Sequence, residues 1–296
     1  MQPLLSYKGR KKTTKTTRKI SRTTSRGDQV KRKVINLIQV LLVLVILWAG
    51  YKVYSYKKDS DSFQNLNDEY AKRLEEVSEE LFIEETETTE DQTEVEAAEE
   101  TEKDLTEEEK KARLAKAFMK NFQSSYPQVV GRILIKGLNL DFPIAQGEDN
   151  EFYLNHDYKN DYHPFGSVFM DARNSRHFDD QNTVIYGHNI AAVYIFHDLM
   201  AYWDPEFVRE NPYVIIDTVG SRRIYRIFAV YQVEEYEDYR TPNYDKKGWE
   251  DLMERIRSKN ILDENLSDFD DKILTLSTCL TLEDRTAIHA VLEKEI

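Results

Sequence analysis

Ile273-Leu-Thr-Leu-Ser-Thr-Cys279 is a short aliphatic and β-branched run that reads as a strand and stops at the only cysteine of a 296-residue chain. A strand end is rigid and its side chain can face a groove, so the position suits a nucleophile. A lone cysteine is more often a small buried hydrophobe, and both readings stay open on this stretch alone. One cysteine does exclude an intramolecular disulfide framework and a multi-cysteine zinc site.

Working outward, similar runs occur at Arg132–Ile135, Ser167–Met170, Thr183–Tyr186, Tyr213–Asp217, Arg222–Val233 and Thr286–Leu292. Gly137, Gly147, Gly166, Pro205 and Gly220 punctuate them. About seven short strands separated by turn residues suggest a closed or nearly closed β-barrel, which removes exposed edges. Helices interrupt the pattern. Leu114, Phe118 and Phe122 form one apolar stripe over Glu107–Ser125, which Pro127 closes. A second helix is expected over Ala191–Tyr202, with a further turn near Pro205–Glu210. A third is expected over Gly248–Lys259, where Trp249, Leu252, Met253 and Ile256 share a face. The sequence has no internal repeat and no glycine-rich loop of the phosphate-cradling kind.

Charge divides the remainder. The net charge is −13, yet residues 1–33 hold twelve Lys or Arg against Asp28 alone, and residues 59–109 hold 22 acids against Lys72, Arg73 and Lys103. The strongly basic block lies outside the part that can fold, which argues against a nucleic-acid binder. Between these blocks, Val34 to Gly50 carries no charge and only Asn36 and Gln39 as polar side chains. At the helical rise, about 17 to 21 residues cover roughly 26–31 Å, one hydrocarbon core. Trp48, Tyr51, Tyr54 and Tyr56 follow where amphipathic rings favour an interface. The excess of cations before the apolar run predicts a cytoplasmic N-terminus and an exported remainder. No small-x-small cleavage site follows, so an uncleaved anchor is expected rather than a signal peptide.

Four segments result: a basic cytoplasmic tail over 1–33, a membrane anchor and interface over 34–56, an acidic disordered spacer over 57–106, and an extracellular domain over 107–296. The spacer is expected because Glu, Asp and Thr bury too little apolar surface to offset chain entropy.

In an exported domain an unpaired thiol is otherwise only an oxidation liability, which strengthens the catalytic reading of Cys279. Only a thiolate attacks, and a neighbouring imidazolium favours it. Of six histidines, His156, His163 and His177 sit in polar loops, His197 in an expected helix and His289 inside a strand. His188 follows Thr183-Val-Ile-Tyr186 through one glycine, so it too lies at a strand end. Arg285 immediately precedes the last strand and is either a surface cation paired with Glu283 or Asp284, or a donor for an oxyanion. Cys279 and Arg285 also have the C-x5-R spacing of tyrosine phosphatases. That chemistry needs convergent amides at a helix N-terminus, whereas this loop has no glycine, carries two acids and leads into a strand.

Thr275-Leu-Ser-Thr-Cys279 with an arginine opening the final strand, and Tyr186-Gly-His188-Asn189 upstream, resembles a sortase. Asp141-Phe-Pro-Ile144, the stretch from Gln146 to Asn155, Gly166-Ser-Val-Phe-Met-Asp171, Asn182-Thr-Val-Ile-Tyr186 and a helical insertion over roughly Tyr236–Leu262 resemble class B of that family, from about Val129 to Ile296. The resemblance implies a mainly β fold with helices, an eight-stranded β-barrel preceded by an N-terminal helix and a single transmembrane helix. It implies a cysteine transpeptidase on the outer face of a Gram-positive membrane, with Cys279 as nucleophile, His188 as general acid/base, Arg285 as oxyanion stabiliser, and Ser277 and Thr278 beside the substrate. Its partners are then exported proteins bearing a C-terminal sorting signal and an amine of a peptidoglycan precursor or a pilin. No cofactor or metal is implied. A cysteine peptidase acting by hydrolysis is the nearest rival, and a non-catalytic anchored binding module is a third.

Overall fold

The computed structural model describes residues 26–87, 105–191, 193, 195–234, 236–262, 272–279 and 284–296; the side chains of 26–28, 80–87 and Cys279 lie outside that description. The chain divides into two compact units, Met1–Ser55 and Tyr56–Ile296.

The described part of the first unit belongs to one long helix, α1, Arg26–Glu87. Its apolar side chains, from Leu37 to Leu47, are all at least half exposed. Among the described residues α1 alone is long and apolar enough to cross a membrane.

The second unit opens with the rest of α1 and a second helix, α2, Glu107–Ser125. Thr106 caps α2 reciprocally with Glu109, satisfying amides that a helix start leaves unpaired. Phe118 and Phe122 are buried on the expected stripe. Eight strands follow: β1 Val129–Ile135, β2 Leu140–Ala145, β3 Val168–Met170, β4 Asn182–Tyr186, β5 Tyr213–Asp217, β6 Arg222–Glu234, β7 Ile273–Cys279 and β8 Asp284–Glu295. They close into a barrel in the order β1-β2-β3-β4-β7-β8-β6-β5. The pairs β2–β3 and β4–β7 are parallel and the rest antiparallel. Short helices, α3 Pro205–Glu210 and α4 Lys246–Lys259, lie between strands; α4 buries Leu252, Met253 and Ile256 as its spacing requires.

Three expectations need correction. Residues 57–87, expected to be disordered, are helical, and Phe63, Tyr70 and Val77 are each at most 5% exposed. These residues recur every seven positions, with Leu66 and Leu74 between them packed against the same apolar face, so a narrow stripe survives within an acidic average. Phe63 packs against Phe142, His163 and Phe165, and Tyr70 lies edge-on to Phe118 and Phe122. The Tyr70 hydroxyl donates to Asp141 Oδ1 at 3.2 Å, which also accepts from Arg132 Nε at 2.7 Å. Burial, then the Asp141 charge, pushes the Tyr70 pKa well up, so it remains a donor. Residues 88–104 of the expected spacer lie outside the described ones.

The strand β2 was not among the runs above, because Pro143 interrupts its pattern and cannot donate to a ladder; it pairs with β1 nonetheless, Arg132 opposite Pro143. The helix expected over Ala191–Tyr202 is, among the described residues, only a 3-10 turn at Asp198–Trp203. Adjacent Ile195 and Phe196, just before this turn, are both fully buried. His197 Nδ1 donates to Asn189 Oδ1 at 2.6 Å and pins the loop back on itself.

Candidate active site

The parallel pairing of β4 with β7 sets Tyr186 beside Ser277, and Gly187 continues it by donating to the Ser277 carbonyl at 3.3 Å. Position 187 has no room for a side chain, since a Cβ there would lie 2.6 Å from the Phe196 ring. The chain therefore delivers His188 directly beside the end of β7. On the other side of β7, the antiparallel register places Thr278 opposite Thr286 and Cys279 opposite Arg285. Residues His188, Ser277, Thr278 and Arg285 line a single cleft of about 170 Å³. Cys279 is the next backbone position along that wall, though its side chain falls outside the described ones.

His188 Nε2 lies 2.8 Å from the carbonyl oxygen of Leu154, the last residue of a 3-10 turn at Phe152–Leu154. A carbonyl only accepts, so Nε2 carries a proton there and Nδ1 is the ring nitrogen left for other partners. Arg285 Nη1 donates to the Asp284 carbonyl at 3.2 Å. Asp284 and Arg285 open a strand, so the C-x5-R spacing does not lead into a helix N-terminus.

The other histidines lie elsewhere. His156 stacks on Phe152, and His163 Nε2 donates to the Asp59 carbonyl of α1, with burial lowering its pKa. His177 lies at the far side against Arg223, which donates to its carbonyl. His289 is wholly buried, and desolvation pushes its pKa down to about 3.

Neutral His289 belongs to a directed chain of hydrogen bonds behind the cleft. Asn182 Nδ2 donates to the carbonyls of Tyr239 and Thr241, so Asn182 Oδ1 accepts from the Thr275 hydroxyl at 2.6 Å. Thr275 Oγ1 must then accept from His289 Nδ1 at 2.8 Å, and His289 Nε2 accepts from the Tyr231 hydroxyl at 2.9 Å. Every buried group in the chain is satisfied. It fastens the segment after β6 to the barrel, and Tyr239 returns its hydroxyl to within 2.9 Å of Ser277 Oγ.

Thr278 breaks this pattern. It is 3% exposed, yet its hydroxyl is the one buried side-chain polar atom without a hydrogen-bond partner among the described residues. Leaving such a group unpaired costs stability, and this one belongs to a residue that lines the cleft. The same cleft is lined by residues that strand-end reasoning did not single out, among them Asn150, Leu154 and Arg240. They come from loops whose approach is set by tertiary contacts, and no local motif announces them. Among the described residues no group of three His, Cys, Asp or Glu could hold a metal ion.

The arrangement offers a proton-carrying imidazole, a guanidinium and an orphan hydroxyl around the end of a strand that terminates in cysteine, the equipment for acyl transfer. Comparison with known proteins agrees in kind. The sortase domain family matches residues 133–293. Sortase B of Listeria monocytogenes is 33% identical over 168 residues, 56% of this chain and 68% of that protein. Sortase B of Staphylococcus aureus is 25% identical over 268 residues, covering 90% of this chain and 97% of that protein. The crystal structure of Clostridium perfringens sortase B superposes with a TM-score of 0.55 at 31% identity, over 59% of this chain and 99% of that one. The chain belongs to the sortase family of cysteine transpeptidases, and within it to class B.

Proposed function

We propose that this protein is a membrane-anchored transpeptidase that cleaves a C-terminal sorting signal of exported proteins, of the Leu-Pro-x-Thr-Gly or Asn-Pro-x-Thr kind, after the threonine. Cys279 gives its thiol proton to His188 Nδ1 and its Sγ attacks the threonine carbonyl, while Arg285 donates to the oxygen as it becomes negative. His188 delivers a proton to the departing amine, and a thioester remains. An acceptor amine, from a peptidoglycan precursor or a pilin, then attacks the thioester and gives its proton to His188. The Leu154 carbonyl holds His188 Nε2–H, which leaves Nδ1 to exchange these protons. Ser277 and Thr278 contact the bound signal. The anchor over 34–56 confines enzyme, donor and acceptor to one surface, with the basic tail inside and the barrel outside by the asymmetry of flanking cations.

The observation that carries this reading is the pairing of Cys279 with Arg285 at a cleft that His188 also lines. The test is turnover of sorting peptides by the full chain in detergent, with and without added amine. Product joined to the amine supports the transpeptidase. Hydrolysis at a rate and with products indifferent to amine contradicts it and leaves a peptidase. Accessibility of the barrel to protease on intact cells checks the orientation, and protection of the barrel contradicts it.

A further inference from the structure

The carbonyl that receives His188 Nε2–H belongs to Leu154, and the peptides on both sides of it are held by the segment from His163 to Ser167. The Tyr153 carbonyl accepts from the Ser167 amide at 3.0 Å, and the Asn155 carbonyl accepts from the His163 amide at 2.9 Å. Gly166 closes the turn with φ of 60° and donates to the His163 carbonyl at 2.9 Å. That backbone conformation favours glycine, and the packing demands it. A Cβ at position 166 would lie 2.3 Å from the Tyr153 oxygen and 2.7 Å from the Leu154 oxygen. The turn thus touches the very carbonyl that His188 uses.

His163 fastens this turn to α1. Its Nε2 donates to the Asp59 carbonyl at 3.2 Å, and its Nδ1 accepts from the Phe165 amide at 3.3 Å. Only the neutral ring protonated at Nε2 makes both bonds. Burial lowers the His163 pKa and so favours that form. Phe63 of α1 and Phe165 each pack against the imidazole with ring centroids 5.3 Å away, and Phe165 meets Tyr56 of α1 edge-on at 5.6 Å. Leu154 itself is 41% exposed, so its own side chain does little to fix its peptide. The hydrogen bonds and contacts of the turn supply that restraint.

We infer that His163 is a positioning residue for His188: its ring ties the turn at 163–166 to α1 and thereby holds the Leu154 carbonyl that orients the His188 imidazole. This rests on the transpeptidase reading above, in which His188 exchanges protons at Nδ1. The partner of one ring nitrogen sets where the other points, and a displacement of about 1 Å far from the chemistry can cost about a hundredfold in rate.

The test uses the full chain in detergent and follows acyl-enzyme formation by quenched intact-mass measurement over a range of sorting-peptide concentrations. His163→Phe keeps a ring against Phe63 and Phe165 and loses both hydrogen bonds. Its acylation rate at saturating peptide should fall about tenfold to a hundredfold, with the half-saturating concentration within about twofold of the wild type, since His163 touches no peptide. His163→Gln restores a donor for the Asp59 carbonyl and should recover most of the rate. Should His163→Phe not fold, His163→Asn takes its place. Asparagine can still accept from the amide two residues on but is too short to reach Asp59, so it should acylate about tenfold more slowly than His163→Gln. A folded His163→Phe that acylates at the wild-type rate overturns the inference, and so does one that loses only peptide affinity. Equal rates for His163→Asn and His163→Gln overturn it as well. In each of these cases the wild type still forms its acyl-enzyme, and the transpeptidase reading survives. A wild type that forms no acyl-enzyme with any sorting peptide removes that reading, and this inference with it.

Discussion

Cys279 and Arg285 are directly opposite one another across the antiparallel pair β7–β8, while Arg285 also pairs with Val233 of β6 on its other side. Arg285 is thus part of a three-strand ladder and its backbone has little freedom to drift. A guanidinium so placed can meet an oxyanion without reorganising at the moment of reaction, the condition under which such donors count most.

Arg285→Lys keeps the charge and loses the fork. We expect kcat to fall about a hundredfold, the scale of losing one oxyanion donor, with an unchanged thermal melting temperature. Turnover near that of the wild type would show that Arg285 does not stabilise the oxyanion.

Thr278→Val should separate binding from stability. The orphan hydroxyl costs the folded state on the order of 1 kcal/mol, so its removal should raise stability in urea denaturation while kcat/KM for the sorting peptide falls about tenfold. A variant that is both less stable and fully active would mean that the hydroxyl is satisfied within the protein and has no substrate contact.

Phe63→Ala tests the docked portion of α1. Phe63 is buried against Phe142 and Phe165, and truncation of such a ring costs about 3–5 kcal/mol. Equilibrium unfolding should show a loss on that scale, together with faster proteolysis within residues 57–87. A change below about 0.5 kcal/mol, the usual surface range, would mean that the helix does not rest on the barrel in solution.

His289 gives a pH signature. Its native pKa is depressed to about 3, below the unfolded value of about 6.5, so the unfolded chain binds this proton first. Stability is therefore complete above about 6.5 and is lost as pH falls toward about 3, by about a factor of ten in the folding constant per pH unit. His289→Gln should be less stable at pH 7 and show a slope shallower by one proton across that window. An identical slope would mean that His289 is already charged or exposed in the native state.

Much of the barrel was legible because its strands are short β-branched runs between glycines and prolines, and helix Glu107–Ser125 because its apolar stripe and the proline that closes it are local. The strand holding Pro143 was hidden by the residue that breaks its pattern. The docked segment of α1 was hidden by averaging, since Phe63, Tyr70 and Val77 are only three side chains among many acids. At the site, His188 and Arg285 could be singled out because each lies where a strand begins or ends. Asn182 could not, because its role arises from contacts between a late insertion and an early strand. The orphan state of Thr278 is likewise a property of packing that no spacing encodes.

The central claim is that the sulfur of Cys279 carries the acyl group. Intact-mass measurement of the full chain after brief exposure to sorting peptides, followed by fragment mapping, tests it most directly. The account predicts an added mass equal to the peptide's acyl portion through threonine, located on the fragment containing Cys279, hydroxylamine-labile, and absent from Cys279→Ala, which remains folded. A turnover-competent enzyme with no such adduct, or a Cys279→Ala variant that still joins peptide to amine, would contradict it.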